Sequence, residues 1–314
     1  DLHSFPTRRS SDLHIALGGL VKIVSKRPEL DVFSAGVRGS YSSADHGGDG
    51  YSVRGSMNIP LAADKAALRI AAFKRTDPGF MMNVATGESE TNETEVSGGK
   101  AALRYQVTAD FDIEVSGLVQ DLSADGPSTV NTTPDGSGDA FCRYCYSFPA
   151  GQTYETKYRL GSLIMNWNTS LGILTNSLSY GKYEDPGRID LTEAYTFFNT
   201  VLLASPPPAG LGFPLDAVVT SEIEPEMKKL TEELRFVTQR LGNFEGLVGL
   251  FYTDEKNLAV SRLVNREPGT LAPILTQFGL DNLLTTRIDA TYREYAAFAD
   301  RKSTRLNSSH PYRS

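Results

Sequence analysis

The chain is short of most groups that carry chemistry. It has two cysteines, four histidines and one tryptophan in 314 residues. Only His14 and His46 lie away from the extreme chain ends. A zinc site needs about four nitrogen or sulfur ligands, so one is poorly supplied here. There is no Gly-x-Ser-x-Gly elbow, and no nucleophile is set beside a histidine base. His46, in Asp45-His-Gly-Gly-Asp49, reads as a surface loop residue. An enzyme is therefore not expected, and no cofactor is indicated. No apolar run approaches the roughly 18 residues of a transmembrane helix. That excludes a helical span but not a barrel, whose strands hide their apolar face in alternation. The net charge is -7 and no basic stripe stands out, so nucleic acid is not an expected partner.

The two ends match no structural pattern. Residues 1–13, DLHSFPTRRSSDL, and 300–314, beginning DRKSTRLNSSH, resemble in-frame translations of short-read sequencing adapters. They are excluded from fold reasoning as scars. The natural part, about 14–299, is then expected to be an internal piece of a longer protein.

What is present in quantity is alternation. Phe111–Asp121 is the cleanest case: Phe111, Ile113, Val115, Gly117 and Val119 face one way, and Asp112, Glu114, Ser116 and Gln120 the other. Period-two patterning of this kind predicts a half-buried strand. Similar runs occur at Val32–Ser42, Tyr51–Ile59, Ala66–Arg75, Gly99–Val107, Thr156–Asn168, Ile173–Tyr183 and Arg287–Phe298. Leu230–Thr238 and Phe244–Tyr252 flank Leu241-Gly-Asn243, which is a hairpin signal. The prediction is an all-β chain of about ten strands.

Connector length separates a barrel from a soluble sandwich. Leu61–Lys65, Thr108–Asp110, Thr169–Gly172 and Leu241–Asn243 are short. Ser43–Gly50, Thr76–Gly98, Leu122–Glu155, Glu184–Pro225 and Glu255–Thr286 are long and rich in loop formers. Short and long connectors alternate along the chain. A transmembrane barrel does this, with short periplasmic turns and long extracellular loops. The fold class predicted is an antiparallel transmembrane β-barrel, here partial and open. Asp112, Glu114, Arg69, Glu232 and Glu294 are expected to face the lumen. Tyr41, Tyr51, Tyr180 and Tyr252 suit interfacial girdles.

Several stretches together resemble a TonB-dependent outer-membrane receptor. Gly18-Gly-Leu-Val-Lys-Ile-Val-Ser-Lys-Arg-Pro28 is similar to the segment closing that family's plug domain, with Lys22 where the family usually has Asn. Tyr51–Leu61 and Leu68–Asn83, with its Asp-Pro-Gly-Phe, resemble early barrel strands and their loop. Glu233–Phe236 followed by Leu247–Lys256 resembles a mid-barrel hairpin, and Glu294–Ala299 a later strand. The resemblance implies residues 14–28 as the end of a plug and 29–299 as part of a twenty-two-stranded barrel. It also implies a place in the bacterial outer membrane, in contact with its lipid. The function implied is active uptake of a scarce, bulky extracellular ligand such as a ferric siderophore. Energy would come from TonB, through an N-terminal box that this chain does not contain. A passive porin-like channel is the alternative; it would lack the plug-like stretch.

Ligand contacts are expected in the long loops, with Asp135, Asp139, Arg143 and Arg188 as candidates. Pro134–Asp139 has a faint calcium-loop look but lacks the acidic residue at the twelfth position and reads as a turn. Cys142 and Cys145, in Phe-Cys-Arg-Tyr-Cys-Tyr, lie outside the strand-to-helix context of a redox motif. A small loop disulfide in an oxidising compartment is preferred, with two free thiols as the alternative.

Overall fold

The computed structural model describes residues 25–131, 142–198, 216–239, 244–275 and 282–303. The elements in order are β1 (Ser34–Ser43), β2 (Asp49–Ala62), β3 (Ala66–Asp77), β4 (Met82–Asn83), β5 (Glu88–Ser89), β6 (Thr94–Thr108), β7 (Phe111–Ala124) and β8 (Cys145–Tyr146). They continue as β9 (Thr153–Thr169), β10 (Gly172–Glu184), β11 (Gly187–Asp190), α1 (Thr192–Phe198), β12 (Val218–Thr238), β13 (Phe244–Arg266) and β14 (Leu284–Ser303).

Ten strands form one antiparallel sheet in the order β1-β2-β3-β6-β7-β9-β10-β12-β13-β14, with β11 bridging β9 and β12. Every predicted run is a strand of this sheet, and sequence neighbours are spatial neighbours. The order is an up-and-down meander, so the short turns gather at one end and the long loops at the other. At the turn end Asp64 takes a left-handed φ of 54°, which Asp tolerates in a tight turn. The β12–β13 ladder is formed as expected; the turn 240–243 that joins it lies outside the described residues. The sheet is open, with β1 and β14 at its edges.

No second sheet packs across the large one, which rules out a sandwich among the described residues. The alternating apolar residues are left uncovered: Val37 is 82 % exposed, Val115 52 % and Leu250 59 %. Their face is the lipid-facing one, because only hydrocarbon can cover such a surface without another protein layer.

Register fixes the two faces. One outward row runs Ile59, Leu68, Leu103, Val115, Leu163 and Leu178 across six strands. Two rows nearer the loop end, the same parity on β9, β10 and β12 carries Arg159, Lys182 and Lys228. The border between apolar and charged residues falls at Tyr51 on β2, beside Asp49, and at Tyr295 on β14, beside Arg293. Carried across the ladders, Tyr51 stands level with Arg287, eight positions along β14 from Tyr295. That is about 27 Å along the strand over about 38 Å across the sheet, a tilt of roughly 35°. Membrane barrels tilt their strands by this amount. The tyrosines mark the border: Tyr41 faces Tyr51, and the Tyr252 and Tyr295 rings lie 4.9 Å apart. Tyr180 lies on the same face.

Asp112, Glu114, Arg69 and Glu294 occupy the inward parity, as expected. Glu232 does not. It stands between Leu178 and Tyr252 on the outward face and accepts a hydrogen bond from Asn176 Nδ2 at 3.1 Å. Leu230, Leu234 and Phe236 share its parity, so alternation sends Glu233 inward instead.

Four boundaries differ from the sequence reading. β2 runs through Pro60 to Ala62, with a register shift between them; a bulge tolerates the missing N–H. β12 and β13, of 21 and 23 residues, extend far into the expected loops. Their outer ends carry charge on the outward parity (Glu222, Glu224, Glu226) and so lack apolar alternation. β14 continues through Asp300–Ser303 opposite Phe244–Leu247, although that stretch was set aside as a scar. Backbone pairing to a template strand makes little demand on side chains.

Candidate ligand-contact loops

The loop end is woven from four connectors. The β3–β6 connector supplies β4 and β5, and the β7–β9 connector supplies β8. These form a small sheet in which Met82 pairs with Cys145 and Asn83 with Tyr146, in parallel. Such pairing joins segments some sixty residues apart and has no local sequence signal.

Buried side-chain amides hold it. Asn83, 1 % exposed, accepts from Phe148 N at 3.1 Å and Ala85 N at 3.2 Å and donates to Phe148 O at 2.9 Å. Asn92 Oδ1 accepts from Phe80 N and Met81 N at 2.7 and 2.8 Å. Its Nδ2 donates to Ser128 Oγ at 3.1 Å. The buried Tyr146 hydroxyl donates to Thr91 Oγ1 at 2.6 Å. Burial pushes the Tyr146 phenol above its ordinary value. Asp190, on β11, accepts from Ala150 N and Thr192 N, tying in the connector that holds α1. Gly48 N donates to Gly79 O at 2.8 Å, which adds the β1–β2 loop. A Cβ at Gly79 would lie 2.0 Å from Glu90 O, so glycine is obligatory there.

Three of these loops bring rings together on the surface. Tyr144 packs edge-on to Phe80 at 6.0 Å and lies 6.2 Å from His46. The Arg143 guanidinium sits 5.1 Å from the Tyr144 ring centre, a cation–π distance. A half-exposed aromatic surface beside a cation suits an aromatic or anionic ligand group. Residue typing pointed to Arg143 but missed Phe80, Tyr144 and His46 as a group. Only the aromatic density of Phe-Cys-Arg-Tyr-Cys-Tyr hinted at it.

Of the remaining candidates, Arg188 is not brought to this surface. Asp135 and Asp139 lie outside the described residues. Arg188 is in β11, in register with Glu222 and Thr153 on the outward parity. Its Nε is buried without a hydrogen-bond partner. Cys142 and Cys145 have Cα atoms 5.6 Å apart, within the span of a bridge.

At the opposite end of the described chain, residues 25–32 lie against the inner wall. Asn58, fully buried, accepts from Glu29 N at 3.0 Å and donates to Glu29 O and Val32 O at 2.8 and 2.6 Å. Arg27 reaches Asp112 at 2.6 Å and Glu114 at 2.7 Å. Burial opposes its charge, but these two carboxylates hold its pKa above the ordinary value.

With the geometry in hand, known proteins give a consistent comparison. No family model matches the chain, and no curated protein matches by sequence. Solved structures do. The ferric yersiniabactin uptake receptor FyuA from Yersinia pestis superposes with a TM-score of 0.64 at 14 % identity, over 88 % of this chain and 37 % of that one. The ferripyoverdine receptor of the Pseudomonas aeruginosa outer membrane, bound to ferripyoverdine, gives 0.58 at 15 %, over 90 % and 36 %. A complex of FpvAI with pyocin S2 gives 0.60 at 15 %, with the same coverage. The chain has the fold of these outer-membrane receptors. It spans a little over a third of their length. Two of them are named as receptors for iron-chelate ligands, and none as an enzyme.

Proposed function

We propose that the chain is part of an outer-membrane receptor that takes up a scarce, bulky ligand of the ferric-siderophore class. The observation that carries this is the pairing of a tilted, lipid-facing sheet with a loop end woven into an aromatic surface. A passive pore needs no such surface above its wall. The stretch 25–32, fastened inside the wall by Asn58, Asp112 and Glu114, favours a plugged barrel over an open porin-like channel. Energy from TonB enters through a segment outside this chain. Arg143, beside Tyr144, contacts the ligand, and Asp135 and Asp139 join it from the same connector. Cys142 and Cys145 form a disulfide that fixes the Arg143–Tyr144 corner.

The test is uptake by cells carrying the gene in its native strain. Deletion should abolish growth on one ferric chelate under iron limitation, and loss of TonB should do the same. Uptake that persists without TonB and rises linearly with concentration would instead establish the passive channel.

A further inference from the structure

The outward face carries an ordered set of cations just above its apolar band. Arg159 on β9, Lys182 on β10, Lys228 on β12 and Lys256 on β13 stand in one row, each directly opposite the next. Like charges in directly opposed positions destabilise a strand pair. The row holds three such pairs in succession, so it works against the sheet unless something anionic lies along it. Each of these four strands has a neighbour on both sides. The face is the outer one, which no plug inside a barrel can cover.

The protein's own carboxylates meet this charge only in part. Glu226 serves both Lys182 and Lys228, at 2.9 and 2.6 Å, and Asp121 takes Arg159 at 2.6 Å. Asp254, the outward neighbour of Lys256 on β13, is taken by Arg293 at 2.6 Å. Lys256 has no ionic or hydrogen-bond partner among the described residues. Solvent-facing pairs of this kind are weak, and a phosphate is a stronger acceptor for Arg and Lys. The order along the strands also matters. On β10 and β12 the cation follows directly on Tyr180 or Leu230, and Glu184 or Glu226 comes one step farther from the apolar band. The cations thus lie nearest the hydrocarbon, at the level of lipid headgroups, where their long stems rest on apolar surface.

Beneath the row the wall recedes. Gly161, two residues from Arg159 on the membrane side, pairs with Gly117. A Cβ at either would meet nothing within 4 Å, so packing within the sheet does not require glycine there. Glycine inside a strand weakens it and suits a place where a ligand approaches the backbone closely. Cations above an apolar recess match a headgroup above its acyl chain. Several cations call for more than one negative charge, which a terminal phosphate carries.

We infer that this row is a headgroup site for a membrane lipid bearing a terminal phosphate, held by Arg159, Lys182, Lys228 and Lys256 with its acyl chain over Gly117 and Gly161. The inference needs only the lipid-facing assignment of this side, not the uptake reading. The test uses the 314-residue chain, reconstituted with equal amounts of phosphatidic acid and phosphatidylcholine and repurified in a neutral detergent. Mass spectrometry measures the lipid that stays with the protein. The unaltered chain should keep phosphatidic acid over phosphatidylcholine by at least about tenfold. Arg159→Gln/Lys182→Gln/Lys228→Gln should abolish that preference. Arg38→Gln/Arg54→Gln/Arg69→Gln, which removes the same charge from the lumen face, should retain it. All three chains should show the same circular dichroism. A preference absent from the unaltered chain, kept by the outer-face variant or lost equally in both variants overturns the inference. So does release of the lipid by inorganic phosphate at constant ionic strength, which would make the row a site for the free anion. Uptake is judged separately by the deletion strain, because lipid retention involves no transport.

Discussion

The turn end and the loop end of the same strands are built by different means. At the turn end, two or three residues reverse the chain at each fully described turn, and the reversal is local: Asp64 in its left-handed conformation is enough between β2 and β3. At the loop end the connectors fold on one another. Asn83, Asn92 and Asp190 bridge segments that meet only after the wall has aligned them. A local device tolerates substitution; a buried, non-local polar network does not.

That contrast can be broken most severely at Gly79. Gly79→Val forces a side chain into the Glu90 carbonyl and should cost about 4 kcal/mol locally. Limited proteolysis should cut the β3–β6 connector while the strands stay intact. If the connector stays protected, the loop end is not the tight unit described. The wall supplies the next effect. Val115→Arg, on the lipid face, should destabilise membrane insertion by about 3 kcal/mol. Its neighbour Ser116→Arg, on the lumen face, should do so far less. Urea titrations in lipid vesicles would compare them, and equal losses would refute the assignment of faces.

Asn83→Ala removes three hydrogen bonds, takes from Phe148 N and Ala85 N their side-chain acceptor while Phe148 O keeps Gly151 N, and should cost about 2 kcal/mol. Hydrogen exchange should quicken at Ala85 and Phe148, and not at the β2–β3 turn. The proposed disulfide sharpens the same point. Cys142→Ser with Cys145→Ser should loosen this corner by about 2 kcal/mol on loop-closure grounds, read as faster proteolysis near Arg143. An unchanged rate would favour two free thiols. The smallest effect belongs to the turn end. Asp64→Val, a β-branched residue at positive φ, should cost about 1 kcal/mol, read as a slight fall in unfolding midpoint.

The wall was legible because membrane solvation imposes a strict rule. Each strand must show apolar residues to lipid at every second position, so Phe111–Val119 could be assigned from the sequence and proved correct. Legibility ended where the rule stops applying. The outer parts of β12 and β13 stand above the apolar band, carry charge on the outward parity and read as loop. Glu232 was misplaced because its charge was weighted above its parity. Of the proposed contact residues, Arg143 was named by type and Tyr144 follows it in the chain, but Phe80 and His46, which pack beside that ring, come from two other connectors.

The sequence by itself determined the strand order, the alternation of short and long connectors and the lipid-facing set. These follow from local periodicity and from the chemistry of turns. Tertiary structure alone decided the small loop sheet, the meeting of His46, Phe80 and Tyr144, and the row of Arg159, Lys182, Lys228 and Lys256. Each depends on register between distant segments, and a register is set by the whole ladder rather than by the residues it brings together.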